Sequence, residues 1–237
     1  CRAKKFTWGE DQFVCGRFTL FTDLDVILKQ FHVGSIAFDG YEKRYNIAPG
    51  QPVLAIVNDG RENRIGYLKW GLIPFWAKDP KMAYRLINAR AETLAEKASF
   101  KHAFKKRRCI IPADGFYEWK KTAEQNQPYR IKLKSDAVFG FAGLWERWTD
   151  QSGQEIHTCT IITTQANSVL KDLHHRMPVI LNHEEVHIWL DPSIDDPYLL
   201  ADLLDPYPAH EMHVYPVSPA VNSAKNDRPD LIEPMSR

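Results

Sequence analysis

Cysteine is scarce in this chain and shows no paired spacing. The four cysteines, Cys1, Cys15, Cys109 and Cys159, lie far apart, and no C-x-x-C pair occurs. Cys109 and Cys159 lie in strand-like apolar runs and are expected to be buried thiols. This cysteine usage favours a reducing cytosol.

Long hydrophobic runs, a strong net charge and repeats are also missing. No apolar stretch approaches the roughly 20 residues that a membrane span needs, and residues 1–14 lack the apolar core of a signal peptide. The formal net charge of +1 gives no overall indication of a nucleic-acid partner. A basic run at residues 101–108 is a weak signal for phosphate binding, and a solvated helix face explains it equally well.

The composition that remains is globular. The 237 residues are 44% hydrophobic and 26% charged, which suits one folded domain with a sizeable core. Runs rich in β-branched and aromatic residues predict strands at 52–57, 65–72, 109–119, 129–133, 138–148, 158–164, 178–181 and 214–217. Helices are predicted at 23–31, 91–106, 166–174, 184–190 and 197–204. We therefore expect an α+β single domain with a mixed, barrel-like β-sheet core and peripheral helices, over residues 15–237, with 222–237 as a loose tail.

The junction between Val14 and Cys15 is the most informative feature. A cysteine with a free α-amine can condense with an aldehyde through its amine and then close a thiazolidine through its thiol. Here the Cys15 amine lies in a peptide bond behind fourteen residues. Val14 can be encoded by GTG, an alternative start codon, and Trp8-Gly9-Glu10 requires a purine-rich codon string that resembles a ribosome-binding site. We therefore expect residues 1–13 to be translated leader; the alternative is an ordinary extension over residues 1–14.

Three polar motifs contain further candidate residues for binding or proton transfer. Asn88, Arg90 and Glu92 lie close together at a predicted strand-to-helix junction, where they indicate either sugar and phosphate binding or a helix cap. Glu118 lies between large aromatic residues, where burial would raise its pKa and suit it to proton transfer; a buried ion pair with Arg is the alternative. His174 precedes Arg176 at a predicted helix end and is a candidate proton shuttle, although a structural histidine is common.

Two more motifs leave alternatives open. Phe75 and Trp76 follow a proline turn and are either stacking platforms for unpaired bases or a packed corner of the core. Residues 183–187 match the H-E-x-x-H pattern of zinc hydrolases. A helix start with Asn182 and Glu185 as a capping box explains them better, since no third ligand at a recognisable spacing is evident. We expect no metal and no cofactor.

Six segments taken together resemble one family, the SOS-response-associated peptidases (SRAP), which are abasic-site processing proteins. They are CGRF at 15–18, RYNIAP at 44–49, WGLIP at 70–74, INARAET at 87–93, PADGFYEW at 112–119 and HHRMP at 174–178. Six blocks in order across nearly the whole chain are far more specific than any one of them. Family members begin Met-Cys-Gly-Arg, so the resemblance also explains why Cys15 matters.

The resemblance implies a function and a site. Members bind single-stranded DNA at an abasic site and crosslink to its aldehyde through the N-terminal cysteine. Cys15 would be the nucleophile, Asn88 would position the ring-opened sugar, and Glu118 and His174 would move protons. The residues implied in DNA binding are Arg17, Asn46, Phe75, Trp76, Arg90 and Arg176. A monomer in the bacterial cytoplasm, at the nucleoid or replication machinery, is the implied setting.

Two other functions stay open. A cysteine-type peptidase would act through Cys15 on itself or on other chains, and self-cleavage after Val14 would expose the amine. A lyase activity could use the same Schiff base. A non-enzymatic single-strand binding module would need only the basic and aromatic residues.

Overall fold

The structure is a computed structural model that describes residues 15–121 and 126–235. The described helices are α1 (Leu24–Gln30), α2 (Lys101–Lys106), α3 (His183–Leu190) and α4 (Pro197–Asp202). The described strands are β1 (Phe18–Leu20), β2 (Val33–Ile36), β3 (Arg44–Ile47), β4 (Pro52–Asn58), β5 (Asn63–Trp70), β6 (Asn88–Arg90), β7 (Arg108–Ala113), β8 (Gly115–Lys121), β9 (Asn126–Leu133), β10 (Phe139–Thr149), β11 (Glu155–Gln165), β12 (Arg176–Pro178), β13 (Ile180–Leu181) and β14 (Met212–Pro216).

Five strands close into a barrel. They follow the order β11-β10-β7-β4-β5, and β5 pairs back onto β11. The closing pair is parallel and the other four are antiparallel, so the sheet is mixed. These strands are rich in β-branched or aromatic residues, which pack well on a pleated, half-buried surface. The expected α+β fold with a barrel-like core is confirmed.

A second sheet packs against the barrel. Its order is β14-β9-β8-β1-β3, and β8 carries Glu118. Phe18 of β1 makes edge contacts with Trp70 of β5 and Phe141 of β10, with ring centroids 5.3 and 5.8 Å apart. One cluster of buried apolar side chains runs through both sheets, which fixes β1, and hence Cys15 and Arg17, against the barrel.

Several predicted elements are wrong in extent. The predicted helix at 91–106 is helical only at its ends, as a 3₁₀ turn at Ala91–Thr93 and as α2. Residues 166–174 form successive turns, because the Asn167 side chain accepts hydrogen bonds from the backbone N–H groups of Val169 and Leu170 and competes with a continuous helix.

The strand predicted at 109–119 is two strands. Asp114 separates β7 from β8, and its carboxylate accepts hydrogen bonds from the Thr19 hydroxyl and from the N–H groups of Phe21 and Thr22. The short strands β1, β2, β3 and β6 were not predicted. At three or four residues each, they are too short to show a period-2 pattern.

The C-terminal segment is packed, so the expected loose tail is wrong for residues 222–235. Leu231 is fully buried, and Val217 bridges to Pro234. Asp227 forms an ion pair with Arg44 and accepts a hydrogen bond from the Tyr45 N–H at 2.5 Å. The segment is polar in sequence and nevertheless ordered, because hydrogen bonds hold much of it in place. No helix of the described residues is long and apolar enough to cross a bilayer.

Candidate functional site

Cys15 is buried at the entrance to β1 and is joined directly to Glu118. Its backbone N–H donates a hydrogen bond to Glu118 Oε1 at 2.7 Å, across 103 residues of sequence. Its φ of 48° lies in the left-handed region, which costs a non-glycine residue about 1–3 kcal/mol. The surrounding contacts, including this hydrogen bond, must hold that conformation in place. The structure thus brings together two of the residues that the sequence analysis singled out.

Burial favours the neutral forms of the Glu118 carboxyl and the Cys15 thiol. It raises the pKa of Glu118 to about 8, against the opposing effect of the Cys15 N–H. It also raises the pKa of the Cys15 thiol well above its usual value, and the charge on Glu118 adds to that rise. The resting thiol is therefore protonated, and a nearby base must take its proton before sulfur can attack. Glu118 titrates close enough to neutrality to exchange protons in both directions.

His174 shares a cavity with Glu118. Both line a hollow of about 470 Å³ that also includes Trp119, Lys171 and His175. The His174 Nδ1 accepts a hydrogen bond from the Arg176 N–H at 3.1 Å, and its ring stacks on His175. Because Nδ1 is an acceptor, the neutral ring carries its proton on Nε2. The orientation of the His174 ring is thus fixed on the wall of the cavity that Glu118 also lines.

Asn88 has a buried amide with no hydrogen bond among the described residues. It starts β6, which pairs in parallel with β11, with Asn88 opposite Ile161. Neither Oδ1 nor Nδ2 of its side chain has a hydrogen-bond partner in the part of the chain that the structure describes. A buried, unsatisfied amide costs about 1–3 kcal/mol, which makes Asn88 a candidate for contact with a ligand. The strand pairing also argues against the alternative in which Asn88 caps a helix.

A second, more apolar cavity begins next to Cys15. It measures about 570 Å³ and is lined by Gly16 and Arg17 beside Cys15, and by Ile87 beside Asn88. Tyr84, which is 58% exposed, and Lys69 and Lys81 line it too, and the sequence reasoning missed all three. The signal that could have found two of them is the interleaving of basic and aromatic residues in 81–85.

Two of the three arginines that are candidates for DNA binding already form hydrogen bonds or ion pairs within the protein. Arg176 forms a two-pronged ion pair with Glu92, at 2.8 and 2.9 Å, and also donates to the Thr163 carbonyl. This pair, and not a helix cap, is the role of Glu92. Arg17 donates to Asn46 Oδ1 and to the Val221 carbonyl, both at 2.8 Å.

Asn46 is placed to hold Arg17 and the C-terminal segment. It is fully buried, and its amide nitrogen donates to the carbonyls of Val221, Ser223 and Asn226. With every polar atom engaged, Asn46 has no surface to offer to DNA in this arrangement. The Arg90 side chain, by contrast, is exposed and forms no hydrogen bond or ion pair with the described residues, while the Arg90 backbone carbonyl accepts a long hydrogen bond, 3.4 Å, from the Thr93 hydroxyl.

Phe75 and Trp76 are exposed, which rules out the packed core corner. Their exposed fractions are 53% and 46%. Phe75 touches only the edge of the His102 ring among the aromatic contacts described, and the Trp76 indole donates a long hydrogen bond, 3.4 Å, to the Ala98 carbonyl. Two large aromatic side chains facing solvent are available to stack on a partner.

The basic run at 101–108 is only partly a solvated face. Arg108 is buried and donates to the Trp189 and Asp191 carbonyls at the end of α3, both at 2.6 Å. Arg107 pairs with the buried Glu146. These two arginines are structural, so this run gives little support to a phosphate site.

Comparisons with known proteins agree with this arrangement. The family described as SOS response associated peptidase (SRAP) matches residues 14–224. The chain is 53% identical over 222 residues to the abasic site processing protein YoqW of Bacillus subtilis (strain 168), covering 93% of this chain and 99% of the relative. It is 34% identical to the abasic site processing protein HMCES of Xenopus tropicalis, covering 82% of this chain and 67% of the relative.

Solved structures show the same fold. A crystal structure of a protein from Bacteroides thetaiotaomicron superposes with a TM-score of 0.83 at 29% identity and covers 94% of this chain and all of that one. A protein from Bordetella bronchiseptica gives a TM-score of 0.74 at 28% identity, covering 86% of this chain. The ordered motifs, the barrel and the relatives agree, and the chain belongs to the SOS response associated peptidase (SRAP) family.

Proposed function

We propose that this protein processes abasic sites in single-stranded DNA by forming a covalent crosslink through Cys15. The observation that carries the proposal is the 2.7 Å hydrogen bond between the Cys15 nitrogen and the buried Glu118 carboxylate, whose pKa is about 8. A carboxylate in contact with the nitrogen that would attack an aldehyde supports a role for Glu118 as the proton acceptor. Relatives about half identical to this chain are named abasic site processing proteins.

The proposed reaction has two bond-forming steps and needs Cys15 with a free amine. The amine nitrogen adds to the aldehyde carbon of the ring-opened sugar, and water then leaves to give a Schiff base. The Cys15 sulfur next adds to the same carbon, and the thiol proton passes to the nitrogen, which closes a thiazolidine. Glu118 accepts a proton from the attacking amine, and His174 gives one to the departing oxygen.

Recognition would depend on sugar, phosphate and strand geometry, because the lesion has no base. The unsatisfied Asn88 amide would bind the hydroxyl groups of the opened sugar. Arg90, together with Lys69 and Lys81 of the larger cavity, would hold flanking phosphates. The exposed rings of Phe75 and Trp76 would stack on neighbouring bases and interrupt a continuous duplex.

A test compares the full chain with a chain of Met followed by residues 15–237, from which Met is removed to expose Cys15. Each is incubated with single-stranded DNA carrying one abasic site and examined on denaturing gels and by intact mass. We expect a heat-stable adduct, heavier than its parts by their sum minus one water, only when Cys15 has a free amine.

Cys15→Ser is the matched control for that test. It keeps the amine and removes the thiol, so it should give only an adduct that borohydride must trap. If neither chain forms an adduct while Cys15 is confirmed as the first residue, the crosslinking proposal fails.

Self-cleavage after Val14 is a second candidate, and one observation favours it. Glu118 contacts the nitrogen of the peptide bond that would be cut, so it could protonate the leaving amine. The Cys15 sulfur would attack the Val14 carbonyl to give a thioester and a free amine, and water would release residues 1–14. Purified full chain should then lose the mass of residues 1–14 with time, whereas Cys15→Ala should not. An unchanged mass in both would exclude it.

A further inference from the structure

Three histidines from separate parts of the chain meet at the surface. His183 and His187 lie one turn apart on α3, and His32 follows α1. Their potential metal-binding nitrogens all lie within 4.8 Å of one another. The ring centroids are 4.8 to 5.2 Å apart in all three pairs. The third imidazole that the H-E-x-x-H pattern lacked in the sequence is thus supplied by the fold.

We propose that His32, His183 and His187 bind one Zn²⁺ ion, with water as the fourth ligand. In a tetrahedral site with Zn–N bonds of about 2.0–2.1 Å, ligand nitrogens are about 3.3 Å apart. The three nitrogens need to close by no more than about 1.5 Å from the separation of 4.8 Å, which side-chain rotation can supply. All three rings are exposed and so are able to rotate.

The backbones that carry these rings are held firmly. Asn182 and Glu185 form a complete capping box at the start of α3, as the sequence predicted, and the Trp189 indole ties the helix to the Cys109 carbonyl. On the other side, the Asn63 amide donates to the Phe31 carbonyl, next to His32, at 2.9 Å. Because the backbones are already fixed and only the rings must rotate, binding an ion costs this site little conformational entropy.

The ring nitrogens are also available for an ion. No hydrogen bond from the described residues holds any of the three imidazoles. Neutral imidazole is a preferred ligand of zinc. Glu184 and Glu185, in the first turn of α3, supply negative charge that offsets the positive end of the helix. His32 has a φ of 47°, a conformation that non-glycine residues seldom adopt and that directs this ring from the turn after α1.

The proposed role is to join two elements rather than to process a substrate. The cavity beside His183 and His187 holds only about 180 Å³, below the usual size of a small-molecule site. Zinc would instead clamp α3 to the turn between α1 and β2. The site shares no residue with the cavities that adjoin Cys15 and Glu118, and it does not depend on the crosslinking proposal.

Equilibrium dialysis of the metal-stripped full chain against ZnCl₂ tests the proposal. The variants are His32→Asn, chosen because Asn tolerates a positive φ, and His183→Gln and His187→Gln, which suit a helix. His210→Gln is the control, since His210 is exposed outside the cluster. We expect the wild type and the control to bind one zinc per chain at this site, and each cluster variant to lose at least tenfold in affinity for it.

Two further readouts separate this site from zinc held by cysteine. Zinc should raise the unfolding temperature by several degrees in the wild type and in His210→Gln, and not in the cluster variants. X-ray absorption at the zinc edge should show nitrogen neighbours near 2.0 Å and no sulfur at about 2.3 Å. Stoichiometric zinc that survives all three cluster substitutions, or no binding by the wild type, would overturn the proposal.

Discussion

At the scale of single residues, the site combines groups that are costly to the fold with groups that suit the proposed chemistry. Glu118 is 5% exposed and, unlike Glu92, has no arginine partner within residues 15–121 and 126–235, so no described residue forms the alternative buried ion pair with it. Asn88 keeps an unsatisfied amide, and Cys15 keeps a left-handed backbone. Such features cluster where a ligand or a reaction uses them.

The buried Glu118 predicts a stability that falls as the pH rises. An unfolded Glu ionises near pH 4.5, whereas the folded one holds its proton to about pH 8. Between these values the folded state binds more protons, so its stability declines by up to about 1.4 kcal/mol per pH unit. Glu118→Gln removes this loss and should be more stable than wild type at pH 8, with little difference at pH 5. Urea unfolding at both pH values measures it, and an equal difference at the two would contradict it.

The same substitution should slow crosslinking. Glu118 must be ionised to accept a proton, so the wild-type rate should rise with pH toward about 8. Glu118→Gln should lose roughly 10²–10⁴-fold in rate and this part of the pH dependence. Adduct formation timed by quenched gels from pH 5 to 9 provides the measurement. A variant rate within a few-fold of wild type would remove Glu118 from the reaction.

Replacing Asn88 is expected to have opposite effects on the stability of the protein and on the crosslinking rate. Asn88→Leu replaces an unpaired amide with an apolar group of similar size, so the free protein should be unchanged or more stable by about 1 kcal/mol. Loss of the amide should nevertheless lower the crosslinking rate at least tenfold. Denaturant unfolding and adduct kinetics on the same preparation separate the two. A variant that crosslinks normally would show that Asn88 does not bind the lesion.

At the scale of elements, the C-terminal segment behaves as part of the site's support. Its carbonyls accept hydrogen bonds from Arg17 and Asn46, and the fully buried Leu231 packs in a small cluster with Tyr117, next to Glu118. A polar stretch of sequence can therefore be well ordered when its acceptors pair with buried side-chain donors. Arg107, Arg108 and Arg176 are likewise committed to partners within the protein.

Leu231→Ala tests that support. Removing a fully buried leucine side chain should cost about 2–5 kcal/mol and should loosen the packing against Tyr117. Met235→Ala, at a residue that is 43% exposed, is the control and should cost far less. Thermal and urea unfolding provide the comparison. Equal effects of the two substitutions would show that the segment is not anchored through Leu231.

At the scale of the whole molecule, binding to DNA is expected to be electrostatically modest. The net charge is +1, and two of the three candidate arginines are occupied within the protein. Arg90, Lys69 and Lys81 supply only a few positive charges for phosphates. The encounter should therefore weaken with salt with a shallow slope, whereas a crosslink, once formed, should be insensitive to salt.

Arg90→Ala should reduce the slope of log affinity against log salt by about 0.7, the contribution of one phosphate on a single strand. Arg61→Ala is the control, because Arg61 lies in the turn joining β4 to β5, at the end of that hairpin away from Lys69 and its cavity. Fluorescence anisotropy on undamaged single-stranded DNA over a range of salt measures both. An unchanged slope in Arg90→Ala would show that it contacts no phosphate.

The sequence by itself determined the family, most of the long strands and the residues on which the proposed chemistry depends. Cys15, Glu118 and the ordered motifs are local patterns of residue type, and long β-branched runs show their structure within a few residues. Only the tertiary structure decided which groups meet. It joined the Cys15 nitrogen to Glu118 across 103 residues, turned Arg17 and Arg176 inward, ordered residues 222–235, and brought His32 to His183 and His187. Such contacts depend on the path of the whole chain through the barrel. A local pattern of residue types does not contain that information.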